Sequence, residues 1–529
     1  MQKNKLKVWL PLILSLVMAL GMYVGYQVRE KTSGGASFLK NEKRTPIQEI
    51  LGLIENKYVD NVNADSLDEN AVNEMLGQLD PHSVYFPATE LQAVNEDLHG
   101  NFQGIGVEFQ IFNDTVNVIN VIPDGPSFKA GVQIGDKIIK VNDTANLARK
   151  GINGDNVRKL LRGPGGSEVS VTVLRDNQTK EINIKRGTIP LPSLDAAYMI
   201  APHTGYIRLN KFAETTYLEF MEALDNLKKA GLQKLILDLR GNGGGLMTEA
   251  TNIADEFLDE DKLIVYTQGS KSPKEEYRCQ KPGLFEEGKL IVLVDETSAS
   301  ASEILSGALQ DWDRATIIGR RSFGKGLVQQ QFPLSDGSAL RLTVARYYTP
   351  LGRNIQKSYT QGKDKYEEEL IDRYHDGELV RGDTSQPKGP AFKTPGGHTV
   401  YGGGGITPDI FIPFDTTLQP EEVMDLYYKN TMSNFVYKYY TQNKNQFAGI
   451  KNATQLYQQF KPGENEWKQF VNYAATDSAY ISTVDAHVKK YLLERIQALM
   501  ARQLFRTEGF YEISNTDDDA VKKALEVLK

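Results

Sequence analysis

The 529-residue chain has one cysteine, six histidines and three tryptophans. A single thiol, Cys279, excludes an internal disulfide and any cysteine metal cluster. Its setting, 276-EYRCQKPG-283, supplies no base for a thiol nucleophile. His82, His99, His203, His375, His398 and His487 are scattered, with no H-E-x-x-H pair and no other metal-ligand spacing. Zinc chemistry is therefore not expected, and no metal or cofactor is called for. The G-x-S-x-G elbow of Ser-His esterases is also missing. An excess of positive charge is lacking too: the formal net charge is −7, without the basic footprint of a nucleic-acid binder. No internal repeat is present. The acidic runs 258-LDEDK-262 and 516-TDDDAVKK-523 read as solvated surface.

What is present is a serine and a lysine in suggestive places. Residues 298–303 read SASASE, between the apolar run 290-LIVLVDE-296, suited to a buried strand, and 301-ASEILSGALQDW-312, which has helical apolar periodicity. A serine at a helix N-terminus sits among unpaired N–H groups that favour negative charge, as the oxyanion of acyl transfer requires. Ser300 and Glu303 equally fit an S-x-x-E capping box, which would only start the helix. Lys325 follows in the glycine-flanked turn 322-SFGKGLVQ-329, between the strand-like runs 315-ATII-318 and 327-LVQQQFPL-334. Two look-alikes fail. The stretch 319-GRRSFGK-325 matches a phosphate loop until Gly326 stands where Ser or Thr is required, and 241-GNGGG-245 has Leu246 where a dinucleotide turn wants glycine. The glycine run remains a nest of backbone amides. The N–H groups of Ala301 and of Gly243 or Gly244 are the candidate oxyanion donors.

The blocks 235-LILDLRGNGGG-245, 293-LVDETSASASEILSGALQD-311, 316-TIIGRRSFGKGLVQ-329, 340-LRLTVARYYTPLGRNIQ-356 and 405-GITPD-409 resemble the carboxyl-terminal processing peptidases, or tail-specific proteases. The resemblance runs in order over most of residues 45–411. It implies that Ser300 is the nucleophile, Lys325 the general base and Gln329 its support. It also points to a dispensable carboxylate at Asp311, which is equally an ordinary structural charge. A lysine can serve as base only if desolvation or nearby positive charge lowers its pKa from about 10.4. A neutral glutamine can orient the amine without raising that pKa again.

Upstream, 104-GIGVEFQIF-112, 132-VQIGDKIIKVND-143, the helix 155-DNVRKLLRG-163 and the hairpin 168-EVSVTVLRDNQTKEINIKR-186 resemble a PDZ domain. Such modules add an extended peptide to a sheet edge and hold its carboxylate in backbone amides. Gly104, Ile105, Gly106 and Val107 are the expected recognition loop. Arg162, at the end of the module's helix, is a candidate regulatory contact with the catalytic part.

Residues 8–28 carry no charge, are mostly apolar and follow Lys3, Lys5 and Lys7. They predict a retained single-pass anchor in a bacterial inner membrane, with the catalytic part in the periplasm or otherwise outside the cytoplasm. The expected organisation is an anchor and linker (1–35), a helical segment (40–95), a PDZ module (96–187), a peptidase core (188–412) and a helical extension (413–529). Within the core, the polar run at 357–400 reads as an insertion or surface excursion. The fold class is α/β multidomain: a mixed α/β peptidase core, a sheet with packed helices, carrying a β-rich PDZ domain and a helical C-terminal extension.

Two functions follow. One is a membrane-anchored serine endopeptidase that processes C-terminal segments of envelope proteins through a Ser-Lys dyad and an acyl-enzyme. The other is a non-catalytic PDZ scaffold on a peptidase fold, whose hallmark, loss of Ser300 or Lys325, is not met. The partners expected are proteins with exposed C-terminal tails and the membrane, with an adaptor protein and a homo-oligomer left open and nucleic acid excluded.

Overall fold

The computed structural model describes residues 9, 11, 14–23, 45–112, 114–142, 145–147, 150–259, 261–382, 389–418, 421–481 and 483–529. Residues 1–72 and 73–529 form two compact units. In the first, 14–23 is helical, as are Pro46–Lys57 and the start of Ala64–Gly77. Among the described residues no helix is long and apolar enough to cross a membrane. The anchor expected over 8–28, and the inner-membrane and periplasmic placing built on it, are corrected accordingly. Of that stretch, residues 8, 10, 12, 13 and 24–28 lie outside the described residues.

The second unit is built on a six-stranded sheet whose strands follow in chain order: Leu194–Ala201, Thr204–Leu209, Lys234–Asp238, Lys289–Val294, Thr316–Gly319 and Ile410–Phe411. The first pair is antiparallel and the others are parallel. Alternation along the strands sends side chains to two cores. Leu235, Leu237, Leu290, Val292 and Val294 pack with the helices Thr216–Lys229, Met247–Asp255 and Ala301–Asp311 on one face. On the other, Tyr206, Ile236, Ile291, Leu293 and Ile318 meet Ala520, Val521, Ala524 and Leu528 of the C-terminal helix Asp519–Leu528. Such double coverage is what near-continuous apolar strands require.

A second sheet joins Val84–Phe86, Ala339–Tyr348, Leu263–Gln268 and Glu275–Arg278, with Leu327–Pro333 paired to Ala339–Tyr348. The segment read as helical up to residue 95 therefore also contributes a strand. The lysine turn connects the two sheets, joining Thr316–Gly319 of the first to Leu327–Pro333 of the second. The described residues of 357–400 are mostly exposed, as expected of an insertion or surface excursion, but they are ordered, folding into the helices Lys363–His375 and Glu378–Arg381 and the hairpin Ala391–Lys393/Thr399–Tyr401. A few of their charges are paired on the inner side: Arg321 and Arg373 with Glu378, and Lys357 with Glu369.

The PDZ module has its own apolar core. Its sheet runs Val107–Phe112, Thr115–Val121, Lys137–Val141, Glu168–Arg175 and Gln178–Lys185, leaving Val107–Phe112 at an edge. The helices from Glu421 onward enclose a further aromatic-rich core. They brace the PDZ sheet: Tyr437 and Gln503 donate to the Val118 and Ile119 carbonyls, and Arg506 to that of Val121.

Candidate active site

The strand Lys289–Val294 ends in a turn organised by Asp295, whose carboxylate accepts from the N–H groups of Gly241, Thr297 and Ser298. Three serines follow, in different states. The Ser298 hydroxyl donates to the Leu239 carbonyl at 2.8 Å, and that of Ser302 to the Asn242 carbonyl at 2.9 Å; both residues are fully buried. Ser300 is only partly buried and makes no side-chain capping bond to its helix. Its backbone lies at φ 56°, ψ −113°, a region sparsely populated by side-chain-bearing residues that persists only where surroundings enforce it. One enforcing contact is Gly244: a Cβ there would lie 2.7 Å from the Ser300 Cβ.

The lysine turn is tied to this serine through Glu303. Fully buried, its carboxylate accepts from the N–H of Ser300 at 2.9 Å, Gly324 at 2.7 Å and Lys325 at 2.8 Å, and from the Ser322 hydroxyl at 2.5 Å. Tyr347, from the second sheet, donates its hydroxyl to the carbonyls of Ser300 and Lys325. Burial pushes the Glu303 carboxyl up to about 7, the four neutral donors only partly opposing it. Burial also lowers the Lys325 amine, helped by the Arg341 charge and opposed by Glu303 and Asp80.

Asp80, His82 and Ser83 come from the segment before the PDZ module. Asp80 accepts from the Ser83 hydroxyl and from Thr343. His82 contacts the Tyr366 hydroxyl at 2.8 Å, and burial followed by the Lys325 charge lowers its pKa to about 4. It is therefore a neutral imidazole at neutral pH. The Gln329 amide donates to the Thr343 hydroxyl at 3.4 Å, so its described partner is a threonine joined to Asp80.

In the glycine turn, Gly244 gives its N–H to the Asn242 side chain at 2.9 Å. Gly243 and Ala301 have no acceptor for their N–H groups among the described residues, so of the two glycines only Gly243 has its N–H free to meet an acceptor. Asp311 is the last residue of the helix Ala301–Asp311, fully buried, paired to Arg353 at 2.5 Å and accepting from the Leu351 N–H. It braces the helix.

The profile of peptidase family S41 matches residues 203–363, that of the PDZ domain 103–185, and that of a family of unknown function 423–506. The carboxy-terminal-processing protease of Bartonella bacilliformis is 39% identical over 318 residues, 58% of this chain and 71% of that protein. A probable CtpA-like serine protease of Staphylococcus haemolyticus is 35% identical over 364 residues, 67% of this chain and 72% of that one. The chain belongs to the carboxy-terminal-processing serine proteases. Among solved structures, a photosystem II D1 C-terminal processing protease is 27% identical, covering 71% of this chain and 89% of its own, with a TM-score of 0.35.

The loop expected to recognise peptides lies where Asn101–Gly104 ends and Val107–Phe112 begins. Gly106 takes φ 76°, and its carbonyl accepts from the Ile122 N–H while that of Ile105 accepts from Ser127. These carbonyls are thus turned into the module. Arg162 meets neither core sheet. It pairs with Glu96 at 2.8 Å, on the helix Ala88–His99, and lies over the Phe102 ring. The same helix reaches the core through Asp97, bonded to Lys211 at 2.7 Å. Glu303, Tyr347, Asp80 and His82 went unassigned in the sequence. Only Glu303 carried a local signal, and that signal read as a cap.

Proposed function

We propose that this peptidase cleaves protein chains near exposed carboxyl termini by attack of the Ser300 hydroxyl, with Lys325 as general base. The observation that carries the reading is the contrast among the three serines: Ser298 and Ser302 spend their hydroxyls on backbone carbonyls, and Ser300 does not. In the acylation step the neutral Lys325 amine takes the hydroxyl proton while Oγ adds to the scissile carbonyl. The oxyanion is held by the N–H groups of Ala301 and Gly243. Collapse expels the amine with that proton and leaves an acyl-serine, which water hydrolyses with the same lysine as base. Gln329 supports the lysine's strand through Thr343. Tails dock along the open edge of Val107–Phe112, with their carboxylates at the loop Gly104, Ile105, Gly106 and Val107. The parts doing this work are a PDZ module over 96–187, a core over 188–412 and an extension over 413–529.

The test is a set of variants on an unstructured protein substrate. Ser300→Ala abolishes turnover, whereas Ser298→Ala and Ser302→Ala keep part of it. Lys325→Arg is inactive although folded, because a guanidinium stays protonated. A fluorophosphonate adduct maps to Ser300. Full turnover by Ser300→Ala, or substantial turnover by folded Lys325→Arg, ends the reading.

A further inference from the structure

The glycine turn that faces Ser300 begins at Arg240, directly after the central strand Lys234–Asp238. Arg240 is gripped from both sides. Its guanidinium donates to the fully buried Asp238 at 2.7 Å and, through the other terminal nitrogen, to both carboxylate oxygens of Asp518 at 2.8 and 3.0 Å. Its carbonyl accepts from Arg208 at 2.7 Å, and Arg208 in turn pairs with Asp238 at 2.9 Å. From Arg240 the chain passes to Gly241, held by Asp295, then Asn242, whose carbonyl receives Ala299 N–H and Ser302, and then Gly243. The bonds from Gly241 and Asn242 that place the turn against the serine lie within two residues of this arginine, and Leu209 and Phe212 hold the turn from its other side.

Asp518 is unlike the other members of that network. It comes from the far end of the extension, outside the stretch 203–363 that matches the peptidase family and outside the stretch 423–506 that matches a second one. It is delivered by the C-terminal helix, whose Ala520, Val521, Ala524 and Leu528 bury against the back of the core sheet. Two guanidiniums, Arg208 and Arg240, converge on the single buried anion Asp238. The Nε and Nη2 side of Arg240 forks onto Asp238, and Asp518 adds a second carboxylate, both of whose oxygens accept from the remaining terminal nitrogen.

We propose that Asp518 is a positioning residue for the peptidase reaction: acting through Arg240, it sets the glycine turn so that the Gly243 N–H meets the developing oxyanion at Ser300. The catalytic core is then incomplete without the last helix of the extension. This inference rests on the reading of Gly243 as an oxyanion donor.

Asp518 also caps its own helix by accepting from the Val521 N–H at 2.9 Å, so the informative substitution is Asp518→Asn. Asparagine caps a helix about as well as aspartate, and only the charge toward Arg240 is lost. The expected result with a tailed, unstructured substrate is a fall in kcat of about tenfold, short of the ~10²–10³ of removing an oxyanion donor outright. KM and the unfolding midpoint stay close to wild type. Arg240→Lys, which keeps the charge and loses the fork, lowers kcat in the same way. The double variant loses less than the product of the two single losses, because both act through one contact. A wild-type kcat in folded Asp518→Asn, a loss confined to KM, or losses that simply multiply would overturn the proposal. Ser300→Ala in the same assay separates the two levels. If it retains turnover, the reading of the site itself fails; if it is dead while Asp518→Asn is unaffected, only the role of Asp518 falls.

Discussion

Two fully buried carboxylates flank the Ser300 turn, and they live in opposite electrostatic states. Burial alone would raise both. At Asp238 the Arg240 and Arg208 guanidiniums, with the Tyr206 hydroxyl, more than reverse that effect and hold the carboxyl well below its usual range. Glu303 has no cation bonded to it. Three N–H groups and the Ser322 hydroxyl leave its carboxyl up at about 7. Equal burial thus gives a permanent anion where the partners are charged and a group poised near neutrality where they are dipoles. The permanent anion anchors the glycine turn. The poised one is bonded to the backbone of both Ser300 and Lys325, the proposed nucleophile and base, and its charge raises the Lys325 amine that the proposed chemistry needs lowered.

Removing each charge separates the two roles, and the largest effect falls on the ion-paired site. Asp238→Asn takes the shared buried anion from two guanidiniums, leaving Arg240 only Asp518 and Arg208 only the longer contact to Asp195, at a cost of up to about 3–5 kcal/mol, with loss of activity. Glu303→Gln strands no opposite charge. It turns an amide N–H₂ toward donors that had an acceptor, costing about 1–3 kcal/mol. Urea denaturation of the two variants orders them; an equal cost would break the distinction drawn here. Activity sharpens it further. Without the Glu303 charge the Lys325 pKa falls, so the rise of kcat/KM with pH moves to lower pH in Glu303→Gln even though its plateau is reduced. A profile that stays in place, or moves up, would show that Glu303 is already neutral when the enzyme works.

The same contrast predicts opposite slopes of stability against pH. Glu303 binds its proton more tightly folded than unfolded, so between its ordinary value of 4.5 and about 7 the native state holds more protons. Stability therefore declines as pH rises through that window and is level above it. Asp238 has the reverse sign: its depressed folded pKa gives stabilisation that is present above the usual value of 3.8 and lost as pH falls below it. Unfolding free energies across pH 3–8, for wild type against Glu303→Gln, should differ by a sloping term above about pH 4.5. A constant offset would place the Glu303 pKa at its ordinary value.

Ser300 and Lys325 were legible in the sequence because each sits in a short run with a chemical reason for its neighbours. Glu303 was legible only as a cap. The capping bond exists, but the same carboxylate also reaches Ser322, Gly324 and Lys325, and no local pattern announces a contact about twenty residues away. The extension shows the same limit. The spacing of Ala520, Val521, Ala524 and Leu528 declares one apolar face, while its docking on the core sheet, and hence the meeting of Asp518 with Arg240, depends on tertiary packing. Residues 357–400 were legible as polar and exposed, but not the inner ion pairs by which Lys357, Arg373, Glu369 and Glu378 tie the stretch to Arg321 and one another. At 8–28 composition alone suggested a span that no described helix provides.

The smallest expected effect belongs to Gln329, which lies outside both carboxylate clusters. Its amide reaches Thr343 at 3.4 Å, a long bond on a partly buried strand with a register shift between Val328 and Gln329. Thr343 is held in turn by Asp80 at 3.0 Å. A neutral–neutral hydrogen bond of that kind contributes about 0.5–1.5 kcal/mol, which as a barrier change is about a 2- to 12-fold loss of rate. Gln329→Ala should therefore reduce kcat severalfold and leave the unfolding midpoint nearly unchanged. Thr343→Val should match it, because the two residues act as one link between the lysine's strand and Asp80. Steady-state kinetics on both variants decide the matter. If Gln329→Ala is as inactive as Lys325→Arg while Thr343→Val is nearly normal, the glutamine acts on the lysine amine directly during proton transfer, and the threonine-bonded position is only its resting one.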